Sequence, residues 1–156
     1  AIILKKNKYS IKINSLEKSI LTTKWPGRIE KKQFKDKIII FDGSHNLSGA
    51  EKLNDYLISN NIKPITIFGM LNNKNILGFL SILKKSIDTL YPIQIPDEKN
   101  AFLVNEIFDI AKKLDINSLV KLNLGSINKS IMKLPNKYIL ITGSLYLVGK
   151  IRKNYL

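Results

Sequence analysis

One histidine, His45, two arginines, Arg28 and Arg152, and no cysteine set the limits of what this chain can do chemically. Without cysteine there are no disulfides, no thiolate nucleophile and no cysteine-based zinc site. A single imidazole excludes paired histidine acid–base catalysts and a histidine-rich metal centre. Any reaction must pass through His45, or through carboxylates, lysines, arginines and hydroxyls.

Five positions carry chemistry at suggestive places. Asp42 directly follows an apolar, β-branched run, Lys37–Phe41. A carboxylate at a strand end can accept from ribose hydroxyls, or it can order a tight turn or cap the next helix. His45 stands at the start of that helix, where backbone amides favour anions. Its imidazole can donate to a phosphate or carboxylate there, or serve structure alone. Arg28 closes the turn-forming tetrapeptide Trp25-Pro-Gly-Arg28. An arginine kept in a lysine-dominated chain points to a planar fork for phosphate or carboxylate, or to packing on Trp25. Lys74, after the second strand, can neutralise an anion. Ser144, after Gly143, can bind a carboxylate or simply cap the last helix.

These residues need elements to hold them. Lys37–Phe41 reads as a buried strand. Leu47, Ala50, Leu53, Leu57 and Ile58 then share one helical face. Pro64–Phe68 reads as a second strand stopped by Gly69. Ile76, Phe79, Leu80, Leu83 and Ile87 make a second amphipathic helix. Thr89–Ile95 is extended, and its Pro92 marks an edge or an irregular strand. Leu103, Ile107, Ile110, Ala111 and Leu114 make a third helix. Ser118–Leu122 is a weak strand and Ile127–Leu134 a weak short helix. Tyr138–Thr142 is a strong strand, followed by a terminal helix from about Leu145. Alternating strands and helices close most simply as an α/β fold, a Rossmann-like, mainly parallel sheet with helices on both faces. Ligands of such sheets sit beyond the carboxyl ends of the strands. The loops Asp42–Asn46, Gly69–Asn75 and Thr142–Ser144 would meet at that edge.

The 156 residues carry 26 basic against 12 acidic side chains, a formal net charge of +14. Such a charge attracts nucleic acid, but the lysines are scattered and no aromatic stacking motif lies among them, so no specific nucleic-acid partner is expected. No apolar run is long enough to span a membrane, and the first residues are not expected to act as a signal peptide. The expected location is cytoplasmic, with no membrane partner. Gly143-Ser-Leu-Tyr-Leu-Val-Gly149-Lys150 is not a phosphate-binding P-loop. It has five residues between its glycines where that loop has four, and Ile151 where it has Ser or Thr. The sequons at Asn46 and Asn128 are read as chance.

Taken together, Trp25-Pro-Gly-Arg28, Ile40-Phe-Asp-Gly-Ser-His-Asn46, Gly69-Met-Leu with Lys74, and Ile141-Thr-Gly-Ser-Leu-Tyr-Leu-Val-Gly149 resemble the C-terminal domain of folylpolyglutamate and dihydrofolate synthases, of the Mur ligase superfamily. The resemblance implies an ATP-dependent amide ligase that adds L-glutamate to dihydropteroate or folate through an acyl phosphate. It implies ATP and Mg2+ as cofactors, with the metal held mainly by an N-terminal P-loop ATPase domain, the expected partner, and no metal ligand here. By motif position, Arg28 and Asp42 would bind ATP, Ser144 and Lys74 glutamate, and His45 would be catalytic. The family's Asp-Lys-Asp pattern reads Asn73-Lys74-Asn75. Residues 1–24 would be the tail of the ATPase domain and the linker, and 25–156 the C-terminal domain, with the compact alternation starting at residue 37. The alternative is a non-catalytic remnant or a basic nucleotide- or nucleic-acid-binding module. Neither Arg28 nor Asp42 falls in the expected core.

Overall fold

A computed structural model describes residues 25–119, 122 and 127–153. The expectations for residues 1–24 lie outside the described residues. The described residues open with a hairpin of β1 (Glu30–Phe34) and β2 (Lys37–Phe41), followed by α1 (Leu47–Ser59) and β3 (Ile65–Phe68). Then come α2 (Ile76–Leu83), β4 (Leu90–Pro92), α3 (Val104–Lys113), α4 (Ile127–Met132), β5 (Tyr138–Thr142) and α5 (Leu145–Arg152).

One sheet runs in the order β1-β2-β5-β3-β4. β1 is antiparallel to β2, and the remaining pairs are parallel. In the two central pairings Ile39 stands opposite Ile139, and Ile67 opposite Ile141. Side chains alternate across the strands, which splits the core into two layers. Ile40, Phe68, Leu90 and Leu140 pack under α1, α2 and α3. Ile39, Phe41, Ile65, Ile67, Ile139 and Ile141 pack under α4 and α5. Phe68 and Phe79 are fully buried with ring centroids 5.6 Å apart, and each such side chain contributes about 2–3 kcal/mol. The architecture is the expected α/β one, with helices on both faces.

Several details differ from the sequence reading. β1 was not expected, because Glu30-Lys31-Lys32-Gln33-Phe34 lacks the apolar pattern of a buried strand. It is the sheet's edge, where charge is the rule, and its loop is a two-residue turn with Lys35 at φ 54° instead of Asn-Gly or Asp-Gly. Compact structure therefore begins before residue 37. Ile58, assigned to the inner face of α1, is 63% exposed. The strand expected at 118–122 appears as one parallel bridge, Ser118 to Leu90, and residues 120 and 121 lie outside the described residues. Pro92 ends β4, which is the edge strand its proline requires.

Candidate functional site

The carboxyl ends of β2, β5 and β3 lie side by side, and each runs into a helix through a short loop. Each of these helices starts on a polar cap. Asn46 Oδ1 accepts from the Gly49 amide at 2.8 Å to start α1, and Asn75 Oδ1 from the Gly78 amide at 2.9 Å to start α2. Ser144 Oγ accepts from the Tyr146 amide at 3.1 Å to start α5. The edge therefore presents three helix N-termini, a setting that favours anions. At α2 the amide oxygen of Asn75 does the capping work that an aspartate would do.

His45, Lys74 and Ser144 converge on one cleft of about 240 Å³, together with Leu71 and Tyr146. His45 is half-buried, and its Nδ1 lies 2.9 Å from the Gly43 carbonyl. A carbonyl only accepts, so Nδ1 carries the proton. The other ring nitrogen, Nε2, has no hydrogen-bond partner among the described residues. Ser144 is buried. Its oxygen receives the Tyr146 amide, which leaves the hydroxyl proton to donate elsewhere. Lys74 is half-buried, with no ion pair among the described residues.

Arg28 stands in a separate cleft of about 570 Å³, with Trp25, Glu30, Lys32 and Arg152. Trp25–Arg28 forms a turn closed by the Arg28 amide on the Trp25 carbonyl at 3.1 Å. Pro26 sits at its second position and Gly27, at φ 71°, at its third, the type II pattern. Three contacts from outside hold the turn. The Gly43 amide donates to the Gly27 carbonyl at 2.7 Å. The Gly27 amide donates to Glu30 Oε2 at 3.0 Å, and the Ile29 amide to Asp42 Oδ2 at 3.0 Å. Arg28 itself is exposed.

Asp42 does not open onto either cleft. It is 2% exposed, and its other oxygen accepts from the Ser44 amide at 2.9 Å. This corrects the reading that Asp42 lies outside the buried structure. The reason is local: a carboxylate at a strand end is the nearest acceptor for two amides that the flanking turns leave unpaired. Direct contact with a ribose would require the covering turn to move.

Sequence reasoning missed the partnership of Glu30 and Arg152. Arg152 Nε donates to Glu30 Oε2 at 2.7 Å and Nη2 to Oε1 at 2.9 Å. The Arg152 hydrogen bond holds the Glu30 carboxyl below its ordinary value against the opposing effect of burial, with help from the Gly27 amide and Lys32. The same hydrogen bond raises the Arg152 guanidinium. A signal was available: Arg152 is one of only two arginines, and it pairs at a bidentate site that lysine cannot fill.

Among the described residues no three His, Asp or Glu side chains are grouped to hold a metal ion, and no helix is long and apolar enough to cross a membrane. Asp42, the acidic residue of the strand edge, is already committed to two amides. The described residues do not form a Mg2+ site of their own.

Residues 28–154 match the family described as dihydrofolate synthetase, C-terminal domain. The folylpolyglutamate synthase of Lacticaseibacillus casei is 25% identical over 156 residues, covering 99% of this chain and 35% of that protein. The dihydrofolate synthase/folylpolyglutamate synthase of Bacillus subtilis is 27% identical over 160 residues, covering 96% and 35%. The chain thus spans about a third of the length of these curated relatives. Among solved structures, E. coli FolC in complex with DHPP and ADP superposes with a TM-score of 0.82 at 21% identity, covering 97% of this chain and 36% of that one. At that identity the superposition supports the fold.

Proposed function

Because the chain belongs to the family of dihydrofolate synthetase C-terminal domains, we propose that it forms one part of an ATP-dependent amide ligase, adding L-glutamate to dihydropteroate or folate with a P-loop ATPase domain as its partner. The observation that carries the reading is the meeting of His45, Lys74 and Ser144, from three separate loops, in one cleft at the carboxyl edge of the sheet.

In this reading ATP phosphorylates the pteroate or folate carboxylate, the glutamate amine attacks the acyl phosphate, and phosphate leaves as the amide forms. Arg28 meets the transferring phosphoryl group, where a positioned cation acts on charge that develops in the transition state. Lys74 and the free hydroxyl proton of Ser144 hold a glutamate carboxylate. With Nδ1–H fixed on the Gly43 carbonyl, His45 directs Nε2 at the reacting groups. There it takes a proton from the attacking amine when neutral, or donates to an anion when charged. Asp42 acts on the nucleotide through the turn it holds. Closure of two domains over the acyl phosphate also excludes water, which would hydrolyse it. Magnesium belongs to the partner in this scheme, and no step here depends on it.

The test joins this chain to a P-loop ATPase domain of the family. The expected result is ADP release that needs both glutamate and a pteroate or folate acceptor, with product heavier by one glutamyl unit. The chain alone should release no ADP. Ligation unchanged in both His45→Ala and Arg28→Ala would overturn the assignment.

A further inference from the structure

The cleft around Arg28 is lined by four cationic side chains, Arg28, Lys31, Lys32 and Arg152, and by one acidic side chain, Glu30. That carboxylate lies two residues from Arg28. Left alone, it is the natural partner for the exposed guanidinium. Instead both of its oxygens face Arg152, which reaches it from the end of the last helix, 122 residues away in sequence. Oε2 also takes the Gly27 amide at 3.0 Å, in the middle of the turn that carries Arg28. Lys32 stands 3.8 Å from the other oxygen. The Arg28 guanidinium has no hydrogen-bond or ion-pair partner among the described residues.

We infer that Arg152 is a positioning residue that keeps Arg28 available. It occupies both oxygens of Glu30, which stops that carboxylate from capturing Arg28, and it fixes Glu30 where it braces the Gly27 amide. One arginine is spent so that the other faces outward with its charge unpaired. Lysine in place of Arg152 would supply charge without the two-pronged fit, and would leave one Glu30 oxygen open to Arg28. The inference rests on the reading that Arg28 serves a phosphoryl group, but its structural half can be tested without that reading.

Only two arginines exist in the chain, so a nitrogen-15 spectrum of the 156-residue protein contains two arginine Nε–H signals, assigned by single substitutions. In the unaltered protein the Arg152 proton should exchange slowly with solvent and the Arg28 proton quickly. In Arg152→Ala the remaining signal, from Arg28, should become protected on the order of tenfold. Adding Glu30→Gln, which keeps an acceptor for the Gly27 amide but removes the charge, should return it to fast exchange. Arg152→Lys should give partial protection and stands in if the alanine variant does not fold. In the chain joined to its ATPase domain, Arg152→Ala should lower kcat on the order of tenfold with little change in KM for ATP. The Glu30→Gln/Arg152→Ala pair should regain most of that loss, which a purely structural role would not allow. An Arg28 signal unmoved by either Arg152 change, or a double variant no faster than Arg152→Ala, overturns the inference. If Arg28→Ala itself leaves kcat unchanged while the signals behave as expected, it is the phosphoryl reading that fails.

Discussion

Asp42 Oδ2 accepts the amide of Ile29 at 3.0 Å, and Ile29 is a β-branched residue at φ 46°. That backbone region costs such a residue on the order of 1–3 kcal/mol. The strained residue links Arg28 to the first strand, and the buried carboxylate pins its amide in place. The geometry of the Arg28 turn is thus held by the residue that directly follows β2.

Asp42→Ala should therefore destabilise the protein by about 2 kcal/mol, because two amides lose a charged acceptor. Arg28→Ala, at an exposed position, should stay within about 0.5 kcal/mol of the parent. Urea unfolding of the two variants separates them. Equal stability would show that the clamp does not bear strain.

Replacing Gly143 should cost more than replacing Gly43. A Cβ on Gly143 would stand 2.6 Å from the Gly69 carbonyl, and its φ is 99°. Neither backbone can yield easily, so a loss of about 3 kcal/mol is expected. A Cβ on Gly43 would press into the Leu145 side chain. Leu145 is 45% exposed and can swing outward, so about 1–2 kcal/mol is expected. Thermal melts of the two alanine variants would order them.

Glu30 gives a pH signature. Its folded-state carboxyl lies below the ordinary 4.5 because of the Arg152 hydrogen bond. The stability it contributes is complete above that ordinary value and is lost as pH falls through the lower folded one. The Tm advantage of the parent over Glu30→Gln should accordingly shrink as the solution is acidified through this range. A constant difference at all pH values would contradict the charged pairing.

Asn75→Asp should leave α2 intact and stabilise it by a few tenths of a kcal/mol, since the carboxylate caps the same Gly78 amide and also meets the positive helix end. Asn75→Ala should cost about 1 kcal/mol. Melts read both. A destabilising aspartate would show that the capping argument does not hold at this helix end.

The sequence made the buried layers legible because Ile, Leu and Phe recur at strand and helix periods. Strand-end logic also brought His45, Lys74 and Ser144 to one edge. It failed where pattern gives no signal. β1 is a charged edge strand whose pairing comes from the turn before β2, not from its own side chains. The burial of Asp42 was hidden because nothing local reveals that Ile29, thirteen residues earlier, needs an acceptor. For the Glu30–Arg152 pair the rarity of arginine marked one partner, but the pair spans 122 residues and no spacing rule identifies the other.

The strand order has a consequence for synthesis. β2 and β3 do not pair with each other; both pair with β5. The middle of the sheet is therefore the last of its strands to leave a ribosome. Until residues 138–142 emerge, the nascent chain holds two half-sheets, each with an apolar edge open to other chains. Completion is a zipper step in which one five-residue segment seals both edges at once, and α5 then brings Arg152 to Glu30. Until that moment the nascent chain presents the unpaired apolar edges that chaperones bind.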